Sequence, residues 1–239
     1  MEAIILAGGK AERLGTAAGG RPKALVPIAG HPLAEYQVSQ LVSAGVGRVI
    51  VSCAEGQDRL FQTKLSGLGA EIVAVPEAEP LGRGGGIKLA ATHREETGPV
   101  FALNGDELID LDFAELLARH LERKPAATIA VAPLVSHLGV VELDGGDVVT
   151  GFREGPRLDH WVNCGAYVLD DEALERFPDR GDHEVTTFPA LAAEGRLHAF
   201  RHEGLWLTVN TPKDLNKAEE YMAAHPEWRP SQNRARVRG

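Results

Sequence analysis

The 239-residue sequence is poor in the residues and segments that mark several common protein classes. Its two cysteines, Cys53 and Cys164, do not have the spacing of a metal site. A disulfide between them stays open, but so few thiols in a chain of this size favour a reducing compartment. No stretch has the length and apolar character of a membrane span or a secretory signal, so we expect a cytoplasmic protein.

Positive charge is also scarce, with 25 Lys and Arg against 34 Asp and Glu and a formal net charge of −9. This balance argues against a partner that is nucleic acid or membrane, and it favours an enzyme that acts on small molecules. The nine histidines form neither H-x-x-x-H nor H-E-x-x-H, so we expect no zinc site. A hydrophobic content of 44% allows one large α/β domain or two small ones.

The first half of the chain alternates short apolar runs with amphipathic helical patterns. Strands are predicted at 3–7, 48–53, 71–76 and 100–106, and helices at 32–44, 58–65, 87–94 and 113–121. This rhythm predicts an α/β fold with parallel strands and right-handed crossovers. Ligands of such sheets bind at the carboxyl ends of the strands.

The second half changes to paired strands. A strand is predicted at 126–134, a hairpin at 139–152 and a helix at 212–224 that opens with Thr211 as its cap. No Pro- or Ser-rich linker intervenes, so we predict a single domain over 1–225. A nucleotide-binding half would occupy about 1–125 and a smaller β-rich, acceptor-binding half about 126–225. Residues 226–239, which are rich in arginine, are predicted to be a disordered basic tail.

The opening strand ends abruptly in a glycine pair. Gly8 and Gly9 have no Cβ, so a ligand can approach the backbone closely, and successive N–H groups there can bind phosphate oxygens. Neither G-x-x-x-x-G-K-[ST] nor G-x-G-x-x-G is present at this strand, which excludes two common nucleotide motifs. Four cations follow within one short segment and favour a polyanionic ligand, most simply a nucleoside triphosphate: Lys10, Arg13, Arg21 and Lys23.

This stretch resembles the signature of the sugar-phosphate nucleotidylyltransferases, L-A-G-G-x-G-x-R-L followed by P-K-x-L-x-P. The match consists of 6–9, 13–14 and 22–27, with Ala11 in place of the third glycine, and the likeness extends over about 1–222. It implies a Rossmann-like, mostly parallel mixed sheet flanked by helices, with Mg²⁺ as cofactor. The implied reaction joins a nucleoside triphosphate to a sugar 1-phosphate and releases pyrophosphate, in a monomer or small homo-oligomer.

On the nucleotide side, the resemblance implies that Lys23, Arg13 and Asp106 are catalytic. The implied nucleotide-binding residues are Leu6, Ala7, Gly8, Gly9, Lys10, Glu77, Gly82 and Gly84. Residues 82–86 form a second glycine-rich loop, which is either a flexible linker or the family's base-binding loop. Arg83 stands where the family commonly has threonine.

A metal site is implied at Asp106 and Asn210. Asp106 ends a predicted strand in Gly-Asp, and Mg²⁺ prefers hard oxygen ligands. The alternative for Asp106 is a helix cap, but Asp112 suits that role better. Glu107 is expected to point away from the cleft, as a strand neighbour of Asp106. The family's W-x-D aspartate is replaced by Thr208, while Asn210 matches a branch in which an asparagine binds the metal.

The implied acceptor-binding residues are Glu154, Asn163 and Gly165. Glu184 is a further candidate, which either binds the sugar or is an ordinary carboxylate at the start of a helix. Glu154 matches the family's F-x-E-K-P, but Gly155 replaces its lysine, so Arg153 or Arg157 is left to supply that charge. Asn163 and Gly165 match N-x-G-x-Y-x-L.

Two further functions stay open. One is nucleotidyl transfer to a non-sugar phosphate such as molybdopterin, and the other is an inactive subunit that senses nucleotides or sugars. No acyltransferase-like repeat follows in the sequence, so we expect a single activity. Glu77 or Glu79 stands where relatives that use UTP or dTTP commonly have glutamine. A carboxylate matches the two adjacent donors of guanine, which predicts a preference for GTP.

Overall fold

A mixed sheet forms the centre of the part of the chain that the computed structural model describes, residues 1–9, 11–228 and 230. The strands, in chain order, are β1 (Glu2–Leu6), β2 (Pro27–Ile28), β3 (His31–Pro32), β4 (Arg48–Ala54), β5 (Glu71–Glu77), β6 (Val100–Asn104), β7 (Glu107–Ile109), β8 (Ala127–Val135), β9 (Val140–Leu143), β10 (Val149–Arg153), β11 (Arg157–Leu169), β12 (Leu197–Arg201) and β13 (Trp206–Thr208). Seven of them form the main sheet in the order β12-β8-β11-β6-β1-β4-β5. The others pair as β9 with β10, β7 with β13 and β2 with β3.

Helices cover both faces of this sheet. They are α1 (Leu33–Ser43), α2 (Asp58–Leu65), α3 (Gly82–Ala91), α4 (Phe113–Arg123), α5 (Asp171–Glu175), α6 (Thr187–Ala193) and α7 (Pro212–Ala224). Short 3₁₀ helices lie at Glu12–Ala18, Lys23–Leu25 and Pro226–Trp228. No helix in the described residues combines the length and the apolar character that a membrane crossing needs.

The strand directions explain the mixed character of the sheet. Strands β6, β1, β4 and β5 are parallel neighbours, as the β-α-β rhythm predicts. Strand β11 runs antiparallel between β6 and β8 and joins the second half of the chain to the first. The predicted Rossmann-like, mostly parallel sheet with a smaller β-rich part is therefore confirmed.

Alternation along β1 divides the core into two layers. Successive side chains of a strand point to opposite faces, and here both faces are covered. Ile5 packs in the layer that contains Phe61 of α2, whereas Ile4 packs in the layer that contains Ile87 of α3. Both cysteines are buried as free thiols, so the open question of a disulfide is answered.

Helix α3 begins five residues earlier than the sequence pattern predicts. The helix begins at Gly82, so the glycine run forms its first turns and is not a flexible linker. A Cβ at Gly82 would lie 2.6 Å from the Gly181 carbonyl oxygen, and one at Gly85 would lie 2.5 Å from the Asp179 carbonyl oxygen. Close packing on the segment 178–184 therefore requires these glycines.

The strand predicted at 100–106 also ends early, at Asn104. Gly105 turns the chain tightly beneath β1, since a Cβ there would lie 2.4 Å from the Leu6 carbonyl oxygen. As a result Asp106 lies in a turn between β6 and β7.

Two predicted helix caps are confirmed. Asp112 accepts a hydrogen bond from the Glu115 amide at 2.9 Å at the start of α4. Thr211 and Asp214 form a capping box at the start of α7.

The predicted tail begins with ordered residues. Pro226–Trp228 forms a 3₁₀ helix, and the Trp228 ring lies 5.7 Å from that of Tyr221. The rest of the predicted tail, residue 229 and 231–239, lies outside the described residues.

Candidate active site

A cleft of about 770 Å³ opens at the carboxyl edge of the parallel strands. The last residues of four neighbouring strands line it: Leu6 of β1, Ala54 of β4, Glu77 of β5 and Asn104 of β6. This is the edge at which α/β sheets bind ligands. Ten residues predicted from the sequence lie in its wall: Leu6, Ala7, Gly8, Gly9, Arg13, Lys23, Glu77, Gly82, Asp106 and Asn210.

The charged centre of the cleft is Lys23. Its ammonium donates to Asp106 Oδ2 at 2.7 Å and also to Asn210 Oδ1. Arg13 donates to the same Asn210 oxygen at 3.3 Å. The Lys23 side chain is 12% exposed, so its charge acts where few waters screen it. Four side chains from three distant segments thus meet beside the opening glycine loop.

The oxygens around Lys23 suit a magnesium ion. Asp106 offers a carboxylate and Asn210 an amide oxygen, and both are hard donors that contact one ammonium group and so lie close together. The backbone of Asn210 is held in place because its N–H donates to Asp214 Oδ2 at 3.2 Å, at the start of α7. Thr208 is directed elsewhere, since its hydroxyl donates to Glu107 Oε2 at 2.8 Å.

Glu107 lies in the cleft wall, contrary to the expectation from strand alternation. The reason is that Asp106 lies in a turn, so the two residues do not alternate along one strand. The Glu107 carboxylate accepts from Trp206 Nε1 at 2.8 Å and from Thr208. Burial and the charge of Asp106 raise the pKa of Glu107 to about 8, although these hydrogen bonds and Lys23 oppose the shift.

Glu77 connects the two glycine segments of the cleft. Its Oε1 accepts from the Ser52 hydroxyl at 2.7 Å, and its Oε2 accepts from the Leu81 amide at 2.9 Å. A Cβ at Gly8 would lie 3.3 Å from Oε1, and one at Gly86 would lie 2.9 Å from it. Sequence reasoning missed Ser52, because a serine within a buried strand carries no motif that marks it.

Two other nucleotide-side residues, Gly84 and Arg21, do not line the cleft. Gly84 is buried in α3, where a Cβ would lie 2.8 Å from Pro178 Cγ, so its small size serves packing. Arg21 donates to the Ala18 carbonyl at 3.5 Å and is not part of the wall. Lys10 lies outside the described residues.

Three of the four predicted acceptor residues lie together beside the cleft wall. Asn163 Nδ2 donates to Glu184 Oε1 at 3.0 Å, and Gly165 packs on Asn104, which lines the cleft. Gly165 has a positive φ of 70°, and a Cβ there would lie 2.5 Å from Asn104 Nδ2. Glu184 is linked to the wall by an ion pair with Arg83 at 2.7 Å.

Glu154 is not placed with them. It is exposed after β10 and is not part of the cleft wall. The two arginines considered as substitutes for the missing lysine pair with surface carboxylates: Arg153 with Glu142 at 3.1 Å and Arg157 with Glu203 at 3.2 Å. Neither lines the cleft.

The geometry defines a class of protein. A glycine-lined cleft with converging cations, at the carboxyl edge of a parallel sheet, is typical of an α/β enzyme that binds nucleotides. Residues 2–225 match the Nucleotidyl transferase family, and the chain belongs to that family. It is therefore a nucleotidyltransferase.

Relatives and solved structures agree with this assignment. The chain is 33% identical over 244 residues to the mannose-1-phosphate guanylyltransferase catalytic subunit beta of Xenopus tropicalis, covering 95% of this chain and 68% of that one. It is 32% identical over 228 residues to the mannose-1-phosphate guanylyltransferase of Mycobacterium tuberculosis, covering 90% of this chain and 62% of that one. HddC from Yersinia pseudotuberculosis superimposes with a TM-score of 0.73 at 26% identity, over 92% of this chain and 99% of that one. A second structure of HddC contains GMP-PN.

Proposed function

We propose that this chain transfers a guanylyl group from GTP to a hexose 1-phosphate of the mannose type, giving a GDP-sugar and pyrophosphate. The names of the relatives at 32–33% identity support this substrate pair, and the GMP-PN complex of a structural neighbour supports a guanine nucleotide. The observation that carries the proposal is the contact of Lys23 with both Asp106 and Asn210 beside the glycine loop.

The proposed reaction needs no covalent intermediate. A phosphate oxygen of the acceptor attacks the α-phosphorus of GTP in line with the departing pyrophosphate. Lys23 stabilises the negative charge that develops on the α-phosphate, and Arg13 binds the triphosphate. Gly8 and Gly9 present backbone N–H groups to the phosphates.

Asp106 and Asn210 would hold Mg²⁺, which supplies further neutralisation of phosphate charge when bound. On the acceptor side, Asn163 and Glu184 orient the sugar by hydrogen bonds to its hydroxyl groups. A cytoplasmic location and a monomer or small homo-oligomer remain predictions from the sequence.

A matrix of substrates tests the proposal. Pyrophosphate release is measured for GTP, UTP, ATP and dTTP, each with mannose, glucose and N-acetylglucosamine 1-phosphate and with molybdopterin, in the presence of Mg²⁺. We expect the highest kcat/KM for GTP with mannose 1-phosphate. Lys23→Ala serves as the inactive variant, and Lys64→Ala on the exposed face of α2 serves as its matched control.

Three results would contradict the proposal. Nucleotide binding without turnover of any acceptor would indicate a sensor. Turnover with molybdopterin but with no sugar phosphate would indicate a non-sugar acceptor. A preference for another nucleotide with an accepted sugar would leave nucleotidyl transfer in place and remove the guanine assignment.

A further inference from the structure

Arg83 occupies a position where a cation is locally unfavourable. It is the second residue of α3, and the first turn of a helix favours negative charge because of the helix dipole. The first turn of α3 contains no acidic residue. An arginine at this position therefore needs partners from elsewhere in the fold.

Two carboxylates supply them. Arg83 Nε donates to Asp182 Oδ2 at 2.9 Å, a second guanidinium nitrogen donates to the same oxygen, and Nη1 lies 2.7 Å from Glu184 Oε2. Burial lowers the pKa of the Arg83 guanidinium, but the hydrogen bond with Asp182 and the charge of Glu184 outweigh it and raise that pKa. One guanidinium thus fixes two carboxylates two residues apart.

The other oxygen of Glu184 is fixed from the acceptor side. Its Oε1 accepts from Asn163 Nδ2 at 3.0 Å and from the Tyr167 hydroxyl at 3.2 Å. Asp182 adds a further restraint, since its Oδ1 accepts from the Glu184 amide at 2.9 Å. An ionised carboxylate has about four acceptor sites, so these contacts determine which direction remains for a ligand hydroxyl.

The backbone reinforces the link between α3 and this segment. The Gly181 amide donates to the Leu81 carbonyl at 2.7 Å, and the Gly84 amide donates to the Gly181 carbonyl at 2.9 Å. Between the two carboxylates, His183 is buried with its ring stacked 4.6 Å from that of Phe177. The start of α3 and the segment 181–184 therefore form one packed unit.

We infer that Arg83 is a positioning residue for the acceptor: it sets the orientation of Glu184 relative to the start of α3 and the cleft. The inference rests on the proposed function, in which Glu184 binds the sugar. Arg83 lines the cleft with a side chain that is 46% exposed, so its removal leaves the core intact. The ligand class is a sugar 1-phosphate whose hydroxyl donates to the remaining lone pair of Glu184.

The test compares kinetic constants in four full-length variants: Arg83→Ala, Arg83→Lys, Asp182→Asn and Arg119→Ala. Arg119 is the matched control, because it also lies near two carboxylates, Glu115 and Glu122, but on the exposed surface of α4. We expect Arg83→Ala to raise the KM of the sugar 1-phosphate about tenfold, the loss of one charge-assisted contact. The KM of GTP should change by less than about twofold, because Arg83 contacts Asp182 and Glu184 on the acceptor side. A uniform loss of active protein would alter neither KM.

The conservative variant Arg83→Lys distinguishes a positioning role from a general loss of structure. Lysine is a point charge and cannot hold two carboxylates in the fork of a guanidinium, so Arg83→Lys should recover only part of the acceptor KM. Asp182→Asn should raise the same KM by a smaller factor, and Arg119→Ala should leave both constants unchanged.

Hydrogen exchange provides a measurement that does not depend on turnover. The amides of 182–186 should exchange faster in Arg83→Ala and in Asp182→Asn than in the parent chain or in Arg119→Ala. An unchanged exchange rate would overturn the inference.

The kinetic outcomes separate this inference from the proposed function. If the parent chain turns over no sugar phosphate, the proposed function and the inference both fail. If it is active and Arg83→Ala leaves the acceptor KM unchanged, only the inference fails. A rise confined to the KM of GTP would also overturn it, because Arg83 would then contact the nucleotide.

Discussion

Strand β1 has a cluster of charged side chains at each end, and the two clusters differ in what surrounds them. At the amino end Glu2 is 2% exposed and accepts from the Glu95 amide at 2.9 Å and from Arg94 at 3.4 Å. Arg94 is 7% exposed and also contacts Asp171 at 2.8 Å. Each of these charges is therefore compensated by the chain itself.

At the carboxyl end the charges face a cavity. Lys23 and Asp106 are 12% and 27% exposed, and both line the cleft together with Asn210. A buried ion pair alone therefore does not mark an active site. What distinguishes the carboxyl end is its place at the sheet edge, where ligands bind, and the glycines that leave room beside it.

The largest effect is expected at the carboxyl end. Lys23→Ala and Asp106→Ala should each lower kcat by about 10²–10³, the usual effect of removing one group that stabilises transition-state charge. Their unfolding free energies should stay close to that of the parent chain, because both side chains border the cleft. Steady-state turnover and urea unfolding on the same preparations measure both quantities, with Lys64→Ala as the control. A folded variant within a few-fold of parental activity would remove its residue from the mechanism.

The opposite pattern is expected at the amino end. Glu2→Ala leaves the buried Arg94 without its most buried partner and should cost about 3 kcal/mol of unfolding free energy. Turnover per folded molecule should be unchanged. The control is Glu71→Ala, which removes an Arg48 partner that is 60% exposed and should cost about 0–1 kcal/mol. Equal losses in the two variants, measured by urea unfolding, would contradict the distinction between the two ends.

Asn210 tests whether the carboxyl end holds the metal. Asn210→Ala should raise the Mg²⁺ concentration for half-maximal activity about tenfold. The value of kcat at saturating Mg²⁺ should fall by a smaller factor than that. Lys64→Ala, on the exposed face of α2, is the control. An unchanged Mg²⁺ requirement in Asn210→Ala would show that the metal is bound by other residues, with Glu107 the first to consider.

The sequence predicted the parts of this site that are local. Gly8 and Gly9 follow a recognisable buried strand, and Lys23 lies within a short motif, so spacing and resemblance sufficed. Arg83 and Asp182 are 99 residues apart in the sequence, and no periodic pattern links them. Their contact depends on how the second half of the chain packs on α3.

The start of α3 was missed for a related reason. Glycine disfavours helices by about 1 kcal/mol per residue, so a run of glycines predicts a loop. Here the close approach of 178–184 requires residues without side chains, and tertiary packing outweighs local propensity. Glu154 is the opposite case: its motif matches that of the family, yet the residue does not line the cleft.

The smallest expected effect concerns how the cleft at the carboxyl end of β1 selects the nucleotide base. Guanine presents two adjacent donors, and a carboxylate can accept both, whereas uracil places acceptors beside its one donor. Glu77 already accepts one hydrogen bond on each oxygen, from Ser52 and from the Leu81 amide, which leaves a lone pair on each for guanine. Glu79 is exposed and pairs with Arg180 at 3.2 Å, so it is the weaker candidate.

We therefore expect the parent chain to prefer GTP over UTP, and Glu77→Gln to lower the ratio of their kcat/KM values roughly fivefold, about 1 kcal/mol for one mismatched polar group. Glu79→Gln should leave the ratio unchanged. Because Glu77 also holds the segment before α3 through the Leu81 amide, a control for structural disturbance is necessary. Ser52→Ala serves: it removes the other hydrogen bond to Glu77 but keeps the carboxylate, and should affect both nucleotides equally. A preference for UTP in the parent chain, or a GTP preference unaltered in both glutamine variants, would show that the base is selected by other groups in the cleft.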